Sequence, residues 1–179
     1  MNESEFCKEL KETLIRGLSK DYIVGTKRNL IYKIIIDEEG QFRPSNPKSP
    51  RRGNLAFQTD LSVEKDNLPL VVSEVKYGAF STHDVLVYSA KALKHKEVYP
   101  YLRYGLIVGG VRTITNKFFT HNAGFDFALA LENTSPKNMK ELIMVVKGQI
   151  SNAKSLLDVL RDRNRVRLFN DSLEIEMAR

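Results

Sequence analysis

The sequence predicts a mixed α/β (α+β) chain with a central mixed β-sheet flanked by helices. Three observations carry this. Apolar residues recur at helical spacing near both ends, Phe6, Leu10, Leu14 and Leu18 at one, Leu142, Val146, Ile150 and Ala153 at the other. Between them lie short runs rich in β-branched and aromatic residues, bounded by turn residues. A further helical stretch separates the third and fourth strands, so the sheet needs a crossover. The length, 179 residues, suits one domain, with a core over about 3–131 and a long helix with its tail over 135–179.

In chain order, residues 3–20 read as a helix, with Ser4 at the cap and Gly25 as the break after it. Residues 29–36 (Asn-Leu-Ile-Tyr-Lys-Ile-Ile-Ile) read as a strand closed by Asp37-Glu38-Glu39-Gly40. Residues 43–54 hold three prolines among four cations and no acid, which excludes helix and central strand and leaves an exposed basic loop. Residues 55–63 alternate, with Leu55, Phe57, Leu61 and Val63 facing one way and Ala56, Gln58, Asp60 and Ser62 the other. After a turn at 64–67, residues 69–77 form the partner strand, with Leu70, Val72, Glu74 and Lys76 on one face. Residues 82–97 read as a helix capped by Ser81 or Thr82, with Val85, Leu86, Ser89, Ala92 and Leu93 on one side. The run 104–111 fits a strand buried on both faces. A loop over 116–124 leads to a strand at 125–131, and Ser135-Pro136 opens a helix over 137–163. The tail, 166–179, is expected to add a short edge strand.

Composition narrows the class. A hydrophobic fraction of 42% with 28% charged residues excludes a disordered chain, a collagen-like fibre and a coiled-coil rod. The longest apolar runs, such as 106–111, fall short of the roughly 18 residues of a membrane helix, so no membrane partner is expected. The first residues carry Glu3, Glu5 and Glu9 and no apolar stretch, unlike a secretory or transit leader. Cys7 is the one cysteine, placed on the apolar helix face, so a reducing, cytoplasmic setting is the expectation. A net charge of +6 permits a polyanionic partner. No Gly-rich phosphate loop is present, and His83, His95 and His121 lack metal-ligand spacing.

The hairpin at 55–77 carries the candidate chemistry. With its turn near Asn67, positions summing to about 134 pair, which sets Asp60 opposite Glu74, and Lys76 shares their face. Opposed carboxylates repel, and a divalent cation between them turns that liability into a site. Mg²⁺ suits, because it takes one or two carboxylates and keeps several waters. A neighbouring lysine can orient or help deprotonate water. The same acid-x-Lys spacing recurs at Glu9-Leu10-Lys11, on a solvated helix face. At 74–76, by contrast, the charges emerge from the apolar run Leu70-Val71-Val72.

Thr59-Asp60, followed after thirteen residues by Glu74-Val75-Lys76, resembles the PD-(D/E)XK nuclease superfamily, and the element order over about 3–111 resembles its restriction endonuclease-like core. Thr59 stands where that motif has proline. Arg52-Gly53-Asn54 and the stretch 104–109 look like type II restriction enzymes. The resemblance implies an endodeoxyribonuclease that hydrolyses DNA phosphodiester bonds with Mg²⁺ (Mn²⁺ as substitute), leaving a 5′-phosphate. It implies Asp60 and Glu74 as metal ligands, joined by the Val75 carbonyl, and Lys76 as the group that positions water. It offers Glu5, Glu9 or Glu12 as an added carboxylate and Lys91 as a supporting polar residue. It implies double-stranded DNA as partner and a homodimer. Lys48, Arg51, Arg52, Lys91, Lys117 and His121 are the candidate DNA contacts. Arg161, Arg163, Arg165 and Arg167 suit a helix C-terminus electrostatically. Two alternatives stay open: a repair or junction-resolving nuclease, and a non-catalytic nucleic-acid-binding module on the same fold.

Overall fold

The computed structural model describes residues 1–162 and 165–177. Helix α1 (Glu3–Gly17) is capped two residues earlier than Ser4 suggests. Asn2 is its cap, and the Asn2 side chain and Glu5 satisfy each other's backbone N–H groups. Strand β1 (Ile23–Ile31) runs straight through Gly25, where the sequence suggested a break. A Cβ at Gly25 would fall 2.9 Å from Arg28 Cγ, so the glycine leaves room for the Arg28 side chain. That chain forms a two-pronged pair with buried Glu64, both bonds 2.8 Å, pinning β1 to the next strand of the sheet.

The expected strand 29–36 is split. Its end leaves the sheet, and β2 (Ile35–Ile36) pairs with β3 (Phe42–Arg43) in a separate two-stranded ribbon. Lys48, Arg51 and Arg52 lie exposed in the loop that follows. Strands β4 (Ala56–Lys65) and β5 (Leu68–Tyr77) form a hairpin around Asp66 and Asn67, both with positive φ, as a two-residue turn of that twist requires. The turn is therefore tighter than the four residues expected. Helix α2 (Thr82–Val98) is capped by Ser81 with Asp84 and crosses over to β6 (Arg103–Gly109). Residues 116–121 form a short helix α3 (Asn116–His121) rather than loop, and β7 (Phe127–Leu131) follows. Helix α4 (Pro136–Asp162) is the long one.

The sheet order is β1-β4-β5-β6-β7, antiparallel as far as β5 and parallel beyond it, which is the mixed sheet the sequence predicted. One face packs Leu61, Val63, Val75 and Ile107 against Phe6, Leu10 and Leu14 of α1 and Leu142, Val146 and Ile150 of α4. The other packs Val72, Tyr104, Leu106 and Val108 against Val85 and Ala92 of α2 and Phe118 of α3. Leu86 and Leu93, expected on the buried side of α2, are exposed, and His95 takes the buried place below Ala92. Residues 165–177 form no strand and lie exposed, so the expected edge strand is absent there. Arg165 and Arg167 thus stand beyond the helix end that Arg161 occupies, and Arg163 lies outside the described residues. Among the described residues no helix is long and apolar enough to cross a membrane.

Candidate active site

The hairpin register places the candidate residues together. Leu61 pairs with Ser73, Ser62 with Val72 and Val63 with Val71, the spacing expected from the sequence. The ladder then stops, one residue short of Asp60 and Glu74. On the other side of β4, β1 pairs at Thr26 and Arg28 but not at Lys27, which has φ 55 and falls opposite Asp60. Asp60 therefore sits where β4 has lost its partners on both sides. Phe57, past this interruption, leaves the face of Leu61 and Val63. Its ring stacks on Tyr32 at 4.0 Å and meets His95 edge-on at 5.8 Å.

Into the gap between β4 and β5 Asp60 sends its carboxylate, and Val75 N–H donates to Asp60 Oδ2 at 2.9 Å. In a strand, a residue's N–H and C=O point to the same side, so the Val75 carbonyl also faces β4. Glu74, only 1% exposed, lies on the α2 side. Its Oε1 accepts from Lys91 Nζ at 2.6 Å and from the Tyr104 hydroxyl. Burial pushes its carboxyl up to about 7, with Lys91 opposing and the Asp60 charge adding to the rise. The two acids are thus close enough to repel.

Lys76 does not touch Glu74. Its ammonium lies 3.6 Å from Asp84 and 3.7 Å from Glu3, and 5.4 Å from the centre of the Tyr88 ring. Burial would lower its pKa, but Tyr88, Glu3 and Asp84 outweigh this and raise it. Lys76 is therefore held charged, as a donor rather than a proton acceptor, which removes the deprotonating role the sequence allowed. Of the acids on the first helix, Glu3 reaches the cluster, and Glu5 is spent in the cap.

Lys91 is not an exposed contact for DNA. Its side chain is 16% exposed, its ammonium also donates to the Gln58 carbonyl at 3.1 Å, and it lies 5.2 Å from the Tyr88 ring centre. Tyr88 thus stands between the two lysines. Lys117 is likewise committed, donating to the Phe80 carbonyl at 2.6 Å, and His121 Nδ1 lies 2.9 Å from the Lys117 carbonyl. Lys48, Arg51 and Arg52 make no ion pair among the described residues. Cys7 is half-buried, and its thiol donates to the Asp60 carbonyl at 3.6 Å. Burial, then the charges of Asp60 and Glu3, push that thiol up to about 11, so it is unreactive.

The donor set suits a hard divalent cation. Asp60 Oδ1 and Glu74 Oε2 accept no hydrogen bond from the described residues, and the Val75 carbonyl faces the same gap. Two carboxylates and a carbonyl, completed by water, match what Mg²⁺ takes. No third acid, histidine or cysteine joins them among the described residues.

Sequence reasoning missed Tyr104, Tyr88 and His95. His95 is 0% exposed, stacks near Tyr104 at 5.7 Å and donates from Nδ1 to the Ile31 carbonyl at 3.1 Å, leaving Nε2 without a partner among the described residues. Burial lowers its pKa to about 4. A histidine depressed in this way gives stability that is complete above its unfolded value and is lost as pH falls through the folded one. Wild type should lose about 3 kcal/mol from this group between pH 6.5 and about 4. Unfolding curves of His95→Gln should lack that part of the acid sensitivity, and an unchanged pH slope would show that His95 is not its source.

No protein-family model, no curated protein and no solved structure matches the chain, so the reading of the site rests on these residues and their geometry.

Proposed function

We propose that the chain is a Mg²⁺-dependent endonuclease that hydrolyses DNA phosphodiester bonds, of the sequence-specific type II restriction kind. The observation that carries this reading is the bond from Val75 N–H to Asp60 across the split between β4 and β5, which sets Asp60 and the Val75 carbonyl at one gap with the Glu74 carboxylate near enough to feel the Asp60 charge. Those three groups would hold the cation. When bound, it supplies positive charge at the oxygens of the phosphate. Lys76, kept protonated by Tyr88, Glu3 and Asp84, donates to the attacking water and balances charge that develops on the phosphate. Tyr104 and Lys91 fix the Glu74 carboxylate from behind, on the α2 side. A restriction enzyme cuts both strands, so the working form on this reading is a symmetric dimer.

The test is a digestion of supercoiled plasmid. Wild type with Mg²⁺ should give discrete linear fragments, and EDTA should stop cutting. Intact plasmid at every cation tested would refute the reading. A second reading, a nucleic-acid-binding module without catalysis, is favoured by one observation: Lys91 already neutralises Glu74. On that reading wild type and Asp60→Ala bind duplex equally and neither cuts. Cutting of branched DNA with plain duplex spared would instead indicate a junction-resolving nuclease.

A further inference from the structure

A cleft of about 350 Å³ opens between the end of α1 and the outer side of α4, on the sheet face these two helices cover. Its floor is Leu18 and Ile150, and its walls carry Tyr22, Ser151, Lys147 and Lys154. The Lys154 ammonium lies 5.2 Å from the centre of the Tyr22 ring, and Lys65 lies 5.7 Å from the same centre. Lys65 has Asp21 at 3.4 Å, whereas Lys147 and Lys154 have no carboxylate within ion-pair reach among the described residues. Lys147 and Lys154, two cations lining one cleft with no acid to match them among the described residues, make a place for an anion.

The sequence of α4 extends the feature. Lys140, Lys147, Lys154 and Arg161 follow one another at seven-residue intervals. Seven residues are two turns, about 10.5 Å of rise. The row drifts by only about 20° per step. It therefore runs as one stripe about 31 Å long, close to a single turn of B-DNA at about 34 Å. It borders the buried stripe of Leu142, Val146 and Ile150 on the side of α1, where the cleft lies.

We infer that this cleft and the cation stripe of α4 form a second contact for the phosphate backbone of a nucleic-acid duplex, with Lys147 and Lys154 at its centre. The partner follows from the phosphodiester reading above, but the surface is separate from the Asp60 gap and serves binding alone. Lys147 and Lys154 line a concavity, which a curved backbone enters and a flat anionic membrane does not.

The experiment measures binding of a fluorescein-labelled duplex by anisotropy across a salt series in EDTA, so that no cutting enters. Lys147→Gln with Lys154→Gln should make the slope of log K against log salt shallower by about 1.8, the loss of two phosphate contacts. Lys94→Gln with Lys137→Gln changes the net charge equally and should leave the slope as in wild type. An unchanged slope in the first pair, an equal change in the control pair, or no duplex binding by wild type overturns the inference. So does loss of inorganic phosphate or AMP binding, or of binding to phosphatidylserine vesicles, with the duplex slope intact. Because Asp60 and Glu74 are untouched, an unchanged slope in the first pair leaves the cleavage reading standing, whereas no duplex binding by wild type counts against both. Loss of cutting in an Asp60 variant with its salt slope intact leaves this one standing.

Discussion

Asp60→Asn should fold as wild type does and lose cleavage on the order of 10³-fold, the scale of removing one preorganised electrostatic group from a reacting phosphate. The amide oxygen of the variant still accepts from Val75 N–H, which donates to Asp60 Oδ2 at 2.9 Å in wild type. Stability should therefore change by less than about 1 kcal/mol. What disappears is the charge. Of the groups at the gap, Asp60 is the half-buried carboxylate and Glu74 is almost fully covered, so Asp60 bears most of the attraction for a cation arriving from solvent. Plasmid cleavage read beside thermal unfolding separates the two effects. A variant that unfolds like wild type and cuts at close to its rate would remove Asp60 from the chemistry.

The second large effect is on stability. Lys91→Met leaves Glu74, at 1% exposure, without its counter-ion. Removing one member of a buried pair costs about 3–5 kcal/mol, most of it the desolvated charge left behind. The cost depends on pH. Burial raises the Glu74 carboxyl to about 7, so the folded chain holds this proton more tightly than the unfolded chain does. Such an acid lowers stability as pH rises from its unfolded value of 4.5 through about 7. Losing Lys91 raises the carboxyl further. The Lys91→Met penalty should therefore be large in urea unfolding at about pH 8 and small at about pH 5. Adding Glu74→Gln should restore most of the loss at the higher pH, a coupling between neighbours that a double-mutant cycle measures. Equal penalties at both pH values would mean that Lys91 acts through packing alone.

How much of this was legible in the sequence depended on the range of the interaction. The β4–β5 hairpin and the placement of Asp60, Glu74 and Lys76 followed from alternation and one turn, because strand neighbours are fixed by local periodicity. The partners of those residues were not legible. Lys91 was offered only through the family resemblance, and its bond to Glu74 shows once α2 lies over β5; Tyr104 looked like part of an apolar strand until its hydroxyl met Glu74. Glu3 was passed over for Glu5, Glu9 and Glu12, although it is the acid that reaches Lys76. The start of β1 was missed because Gly25 reads as punctuation, whereas its role is to leave room for Arg28 to reach Glu64. Helix α3 is too short for periodicity, and Thr115 gives it no side-chain cap. The cation stripe of α4 was in plain view at a spacing of seven, but only the cleft beside Tyr22 gives it a surface to serve.

The most direct measurement is a titration of the purified chain with Mn²⁺, followed by electron paramagnetic resonance of the free ion. One Mn²⁺ per chain should be taken up by wild type, displaced by Mg²⁺, and lost in Asp60→Asn, with uptake tightening as pH rises through about 7 and Glu74 ionises. Equal uptake by wild type and Asp60→Asn, or none by either, would contradict a cation held at the gap between β4 and β5.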